Sequence, residues 1–136
     1  GETPSQIARR ISQELDGNHR RFIIEYREIP IGEMNYRFIA PKTAEIGIDI
    51  CNSTYQNRGL GRIALSLFFQ MLFEQLGAER IVLDTNQNNL RAQHVYESMG
   101  FHRVQVRTKA YMNQDDEWQT AIDYALERAD FVSFIP

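Results

Sequence analysis

The stretch TAEIGIDICNSTYQNRGLGRIALSLFFQMLFEQL, residues 43–76, decides the fold of this chain. Its first part, Thr43 to Cys51, alternates apolar with other residues and predicts a strand, whereas Leu60 to Leu76 has helical spacing. Between them, Gln56 to Gly61 forms a polar loop with two glycines. The first amides of a helix are unpaired and carry partial positive charge, which favours bound anions. We therefore expect this loop to hold the pyrophosphate of a nucleotide-like cofactor, with Arg58 as a fork-shaped donor.

A dinucleotide is one candidate for that cofactor. Residues 59–64 fit the fingerprint G-x-G-x-x-G/A, and Asp84 lies roughly where an acidic partner for the ribose belongs. Against this, residues 52–58 separate the strand from the first glycine, and the chain is too short for the repeated βα units of that fold. A nucleotide-dependent oxidoreductase is therefore the less favoured alternative.

A second pattern resembles the acetyl-CoA loop of the GNAT N-acetyltransferase superfamily. Residues 56–61 match Q/R-x-x-G-x-G/A, and residues 89–101 resemble the family's N-x-x-A-x-x-x-Y-x-x-x-G-F signature. The segment 111–126 is similar to the closing hairpin of the ribosomal-protein and spermidine acetyltransferase branch. The resemblance covers about residues 21–127 and implies the acyl-CoA N-acyltransferase fold, with acetyl-CoA as the cofactor.

The resemblance also implies where acetyl-CoA binds. The strand backbone at Ile48 and Ile50 would pair with the amides of the pantetheine arm, and Asn89 would hydrogen-bond that arm while also capping a helix. The complete set of residues expected to bind the cofactor is Ile48, Ile50, Gln56, Asn57, Arg58, Gly59, Leu60, Gly61 and Asn89.

The implied reaction is direct transfer of an acetyl group to a primary amine in a ternary complex. A free alkylamine has a pKa of about 10.4, so about 4.6 kcal/mol separates it from its nucleophilic form at pH 7. A base must take its proton, and an acid must protonate the departing thiolate. By family position Tyr96 is the candidate acid and Glu45 the candidate base. Asp49 is the reserve base, because alternation places it on the same strand face as Glu45.

The order of elements predicts an α/β fold. A helix is expected at residues 4–15, where Ile7, Ile11 and Leu15 recur at helical spacing. Three strands, a long helix, a buried strand, a second helix and a final hairpin follow; they are expected at residues 22–26, 31–39, 43–51, 60–76, 80–85, 89–99, 101–112 and 118–126. The result is a mixed, mostly antiparallel sheet flanked by helices.

The N-terminus departs from the family pattern. The chain starts at what would be the second helix of the fold, so the first strand and helix are expected to be missing. We therefore expect a single N-acetyltransferase domain over residues 1–136 that is N-terminally short. A second copy of the chain would cover the exposed sheet edge, which makes a homodimer one expected assembly.

Composition narrows the class further. A net charge of −3 over 136 residues gives no reason to expect nucleic-acid binding, and no apolar run reaches membrane-spanning length. The lone Cys51 suits a reducing compartment, so we expect a cytoplasmic protein. The three histidines lack metal-ligand spacing, and no metal is expected. The acceptor is expected to be a small-molecule amine or a protein N-terminus, and a non-catalytic acyl-CoA-binding or regulatory module is the alternative function.

Overall fold

The computed structural model describes residues 7–16, 19–26, 29–49 and 60–135. For residues 7–16, 24, 26, 29–31 and 60 it describes the backbone alone. No helix in these ranges combines the length and the apolar composition that crossing a bilayer requires.

The strands in this part of the chain form one sheet of seven, in the order β1-β2-β3-β4-β5-β7-β6. Neighbouring strands are antiparallel except β4 and β5, which run parallel. This confirms the predicted mixed, mostly antiparallel sheet. The strands are β1 Ile7–Asp16, β2 His19–Tyr26, β3 Ile29–Ala40, β4 Thr43–Asp49, β5 Arg80–Asn86, β6 His102–Met112 and β7 Trp118–Glu127.

The helix predicted at residues 4–15 is wrong wherever the structure describes that segment. Residues 7–16 form a strand that pairs antiparallel with β2, from Ile7 opposite Tyr26 to Asp16 opposite His19. A spacing of four residues fits a helical repeat of 3.6 and is also a multiple of the strand repeat of 2. The spacing of the apolar residues is therefore compatible with both a helix and a strand. The segment is a strand because it pairs with β2.

The predicted long helix is confirmed, with an unexpected change of geometry. Helix α1 spans Leu60–Gln70 and continues as a π-helix over Met71–Gln75, where the Leu76 amide donates to the Met71 carbonyl at 3.1 Å. The helix then stops at Gly77, whose φ of 78° is the left-handed conformation that favours glycine. Helix α2 spans Leu90–Ser98, and a 3₁₀ turn follows β7 at Arg128–Asp130.

The hydrophobic core lies on one face of the sheet, under both helices. Helix α1 is buried by aromatic contacts on two sides: Phe68 lies 6.3 Å from Tyr36 in the sheet, and Phe69 lies 5.4 Å from Phe101. This confirms that the apolar residues of α1 form core. Alternate residues of the strands complete it, namely Met34, Tyr36, Ala44, Ile46, Ile81, Leu83, Ile122, Tyr124 and Leu126.

Gly100 joins helix α2 to the final hairpin in a position that no other residue fits. Its φ is 103°, and a Cβ atom there would overlap the backbone carbonyl oxygen of Asp130. Gly77 also has a positive φ, but no described atom lies within 4 Å of the position its Cβ would take. A side chain at either glycine would strain the backbone, but only at Gly100 would it also overlap a neighbouring atom. Comparing substitutions at the two positions therefore measures the cost of the overlap.

We expect Gly100→Ala to lower the free energy of unfolding by about 3 kcal/mol or more, because it adds overlap with Asp130 to the strain of a positive φ. Gly77→Ala is the matched control and should cost only about 1 kcal/mol, the strain alone. Urea denaturation of both variants measures the difference. Equal losses would show that the overlap at Gly100 relaxes at no cost.

Candidate active site

The site begins where β4 and β5 separate. The two strands have seven residues each but pair over only three positions, Thr43 with Arg80, Ala44 with Ile81 and Glu45 with Val82. Beyond Glu45, the edge of β4 that faces β5 has no strand partner among the described residues. Backbone amide and carbonyl groups on that edge need hydrogen-bond partners. They suit a ligand that carries amide groups.

A cleft of about 550 Å³ opens at this separation, on and between the strands. Residues of six strands, β2 to β7, line the cleft. Most of them are charged or polar, and a few are apolar. The lining residues are His19, Asn35, Arg37, Glu45, Ile46, Gly47, Arg80, Val82, Leu83, Asp84, Val104, Arg107, Asp123 and Tyr124.

Glu45, the candidate base, is one of the residues that line this cleft. Its side chain is exposed, and it lies opposite Arg37 in the β3–β4 register. Within the described ranges, its carboxylate has neither a hydrogen bond nor an ion pair. The reserve base Asp49 is also exposed, at the end of β4, but it does not line the cleft. Of these two candidate bases, only Glu45 lines the cleft in the described structure.

The other two carboxylates of the cleft are both bound by Arg107. Its guanidinium makes two bonds of 2.8 Å to Asp123 and one of 2.9 Å to Asp84. These hydrogen bonds hold the pKa of Asp123 below its usual range and raise that of Arg107. Of the lining carboxylates, Glu45 alone is thus without a cationic partner in the described structure.

Tyr96, the candidate acid, sits beside the cleft rather than in its lining. Its ring packs edge-on against Tyr124, at 6.1 Å between centroids, and lies 5.6 Å from Phe101. Tyr124 lines the cleft, and so does Asp84. Burial raises the pKa of Tyr96 to about 12, with a further contribution from the Asp84 carboxylate. Tyr96 therefore holds its proton throughout the neutral range.

Tyr124 is fixed by a hydrogen bond that ties β7 to α2. Its hydroxyl donates to Glu97 Oε2 at 2.5 Å, and Arg103 Nε donates to the same oxygen at 3.3 Å. The bond from Tyr124 holds the pKa of the Glu97 carboxyl below its usual range. Since Tyr96 and Glu97 are neighbours on α2, this bond also fixes the helix against the sheet where Tyr96 packs.

The predicted cofactor residues are only partly within the described chain. Ile50, Gln56, Asn57, Arg58 and Gly59 lie outside the described residues, as does the side chain of Leu60. The loop itself therefore remains a prediction.

Three expected cofactor residues are described. Gly61 lies in the first turn of α1, and no described side-chain or neighbouring backbone atom is within 4 Å of where its Cβ would be. Asn89 caps α2, because its Oδ1 accepts from the Ala92 amide at 3.1 Å. Ile48 packs against the core, as expected. Binding of acetyl-CoA along these residues remains a prediction.

Several residues of the site were not singled out from the sequence. Asp123 lies within the apolar run of β7, so a lone acidic residue in a buried strand was an available signal, whereas Asp84 was considered only as a partner for a ribose. Arg107 lies in the exposed edge strand β6, where the pattern carries no such signal. Its role depends on the register that brings β6, β7 and β5 side by side.

Comparison with known proteins shows the family and the fold of the chain. The model of the acetyltransferase (GNAT) family matches residues 2–101. A chimera of the spermidine N-acetyltransferase SpeG from Vibrio cholerae and hSSAT superposes with a TM-score of 0.75 at 23% identity, over 84% of this chain and 71% of that one.

Two further solved structures share the fold. Mutant forms of the spermidine/spermine N-acetyltransferase SpeG from Vibrio cholerae give a TM-score of 0.76 at 23% identity, with coverage of 84% and 69%. A probable acetyltransferase gives 0.76 at 18% identity, with coverage of 84% and 64%.

The chain therefore belongs to the GNAT family of acetyltransferases, and the resemblance seen in the sequence is confirmed. The single parallel strand pair in the described sheet also differs from the repeated parallel βα units of a dinucleotide-binding fold.

The raised pKa of Tyr96 predicts a specific loss of stability in alkali. An unfolded tyrosine ionises near 10, whereas Tyr96 in the folded chain ionises near 12. Between these values the unfolded state releases its proton first, so stability falls as the pH rises, by roughly 1 kcal/mol at about pH 11. We expect Tyr96→Phe to remove this part of the fall, measured by urea unfolding between about pH 8 and about pH 11.

Tyr36 and Tyr124, whose pKa values are also raised by burial, are present in both proteins and cancel in the difference. Parallel curves for the wild type and the variant would contradict the burial of the Tyr96 hydroxyl.

Proposed function

We propose that this protein transfers the acetyl group of acetyl-CoA to a primary amine by direct transfer in a ternary complex. The observation that carries the proposal is Glu45. It lies at the last paired position of β4, where the strands separate, and is the one lining carboxylate without a cationic partner in the described structure. A carboxylate in that state can accept a proton from an amine that approaches the separation.

Glu45 would supply the step that an amine needs most. Acetyl-CoA supplies an acetyl thioester, whose carbon–sulfur bond breaks as the new carbon–nitrogen bond forms. The nitrogen must lose a proton to attack, and at pH 7 that deprotonation costs about 4.6 kcal/mol for a free alkylamine. Glu45 takes this proton directly or through a water, and an exposed carboxylate returns it to solvent.

Tyr96 would act at the departing sulfur. A thiol has a pKa of about 8.5, far below the pKa of about 12 for Tyr96. Complete transfer of the tyrosine proton is uphill by about 3.5 pKa units, or roughly 5 kcal/mol. Tyr96 is therefore first a hydrogen-bond donor that stabilises the developing negative charge, and proton transfer completes as the thiol leaves.

The fixed surroundings of Tyr96 support that role. Tyr124 packs against its ring, and the Tyr124–Glu97 hydrogen bond holds helix α2 on the sheet. A donor that is already oriented loses little free energy to reorganisation as charge develops.

Ligand-dependent melting tests the cofactor part of the proposal. Acetyl-CoA and coenzyme A, each at about 100 times Kd, should stabilise the protein by about 2.7 kcal/mol and raise Tm by several degrees, whereas NAD(P) should not. A shift with NAD(P) alone would overturn the proposal. Binding of both coenzyme A species with no turnover of any amine would instead favour the non-catalytic acyl-CoA-binding module.

We expect Glu45→Gln to lower kcat for amine acetylation by about 10²- to 10⁴-fold at neutral pH, because the amide cannot accept the proton. The affinity for acetyl-CoA, measured by calorimetry, should not change. The deficit should shrink about tenfold for each unit that the pH rises toward the pKa of the amine, since more of the acceptor is then already deprotonated.

Glu74→Gln is the matched control, because Glu74 is an exposed carboxylate at the end of the long helix, away from the cleft. It should retain wild-type kcat. Full activity in Glu45→Gln would remove Glu45 as the base.

A further inference from the structure

Some of the charged side chains that line the cleft form ion pairs, and others do not. Of its three guanidinium groups, Arg80 is bound to Glu127 at 2.9 Å, and Arg107 is bound to Asp84 and Asp123. Arg37 has no carboxylate within salt-bridge distance in the described ranges. The cleft therefore presents one cation and, at Glu45, one anion that lack partners of opposite charge.

These two charges lie side by side on neighbouring strands. Arg37 and Glu45 are direct partners in the β3–β4 register, so their Cβ atoms are about 5 Å apart on one face of the sheet. They do not pair with each other, because the Arg37 side chain leans the other way, toward β2. Its Nη2 donates to His19 Nδ1 at 3.2 Å. The guanidinium and the carboxylate thus flank a space instead of closing it.

The orientation of Arg37 is held by a chain of contacts. Since His19 Nδ1 accepts from Arg37, the ring proton lies on Nε2, which donates to Asn35 Oδ1 at 3.2 Å. Asn35 in turn lies over Gly47, where a Cβ atom would come within 2.6 Å of its side-chain nitrogen. The absence of a side chain at Gly47 thus allows the arrangement that positions Arg37.

We propose that Arg37 binds a carboxylate on the acceptor, so that the substrate of this enzyme is an aminocarboxylate. The inference rests on the proposed amine acetylation. The amine of the acceptor lies at Glu45, which takes its proton, and the carboxylate pairs with the free N–H groups of the Arg37 guanidinium, whose fork matches a carboxylate. The acceptor thereby compensates both unpartnered charges of the cleft.

A diamine is the alternative that the same cleft must be tested against. The second ammonium group of a diamine would need a carboxylate of its own besides Glu45. Asp84 is the candidate, because it lines the cleft and its side chain is 62% exposed. Asp84, however, already accepts from Arg107 at 2.9 Å, so a second cation would compete with a formed ion pair. Arg37, by contrast, has no carboxylate partner in the described structure, and its one side-chain hydrogen bond there, to His19, uses Nη2.

A matched set of three amines distinguishes an aminocarboxylate acceptor from a diamine acceptor. Propylamine, 3-aminopropanoate and 1,3-diaminopropane present the same kind of primary amine beside a neutral, an anionic and a cationic group. We expect kcat/KM to be about tenfold or more higher for 3-aminopropanoate than for propylamine, as for one charge-assisted interaction. We expect 1,3-diaminopropane to gain no such advantage.

Arg37→Met keeps the length of the side chain and removes the charge, so it should bring the 3-aminopropanoate-to-propylamine ratio of kcat/KM to about one. Arg37→Lys keeps the charge but not the fork and should retain part of the ratio. Arg128→Met is the control, since Arg128 is exposed, pairs with Glu79 at 3.8 Å and does not line the cleft. It should keep the full ratio.

The outcomes are distinct. A ratio unchanged in Arg37→Met, or a preference for 1,3-diaminopropane, would overturn the aminocarboxylate inference and leave amine acetylation standing. No turnover of any of the three amines, with coenzyme A bound, would overturn the proposed function and this inference with it.

Discussion

The short pairing between β4 and β5 is the constraint on which the rest of this structure depends. Three residue pairs keep the sheet continuous, and beyond Glu45 the strands part. A longer pairing would close the cleft and satisfy the edge of β4 within the sheet. A shorter one would divide the sheet, because in the described structure the pairing of β4 with β5 is the one strand pairing between β1 to β4 and the strands β5, β7 and β6. Among the described residues, the edge of β4 beyond Glu45 thus has no strand partner, and a ligand with amide groups would be able to pair with it.

Packing on the other face holds the two halves of the sheet in place around that separation. Helix α1 lies across them, since Phe68 contacts Tyr36 on β3 while Phe69 contacts Phe101 ahead of β6. The chain after β7 closes the far side of the helix, where Phe131 packs against Phe69 and the Phe134 amide donates to the buried Ser66 hydroxyl at 2.8 Å. Helix α1 therefore bridges the separated strands, and its burial stabilises both halves together.

The electrostatics of the cleft follow from which charges are satisfied within the protein. Arg107 binds two carboxylates, and the Tyr124–Glu97 bond is internal to the scaffold. Each charged side chain in these groups has a partner of opposite sign, although the one guanidinium of Arg107 and the two carboxylates together keep a net charge of −1. Arg37 and Glu45 are adjacent but turned apart, and in the described chain they are the lining charges left without a partner of opposite sign. The proposed chemistry assigns the substrate contacts to these two unpaired groups, because an ionic group that is already paired would have to exchange its partner to bind a substrate.

The sequence by itself determined the family, the strands and helices from β2 onward, the stop at Gly77 and the cap at Asn89, because each depends on local spacing or on a motif. Alternation alone placed Glu45 on the exposed face of β4.

The prediction from the sequence was wrong at residues 7–16, since a four-residue spacing fits both a helix and a strand, and only pairing with β2 decided between them. The Arg107–Asp84–Asp123 bonds, the turning of Arg37 toward His19 and the separation of β4 from β5 were decided by tertiary structure alone. Each depends on strand register, which joins residues distant in sequence and leaves no periodic trace along the chain.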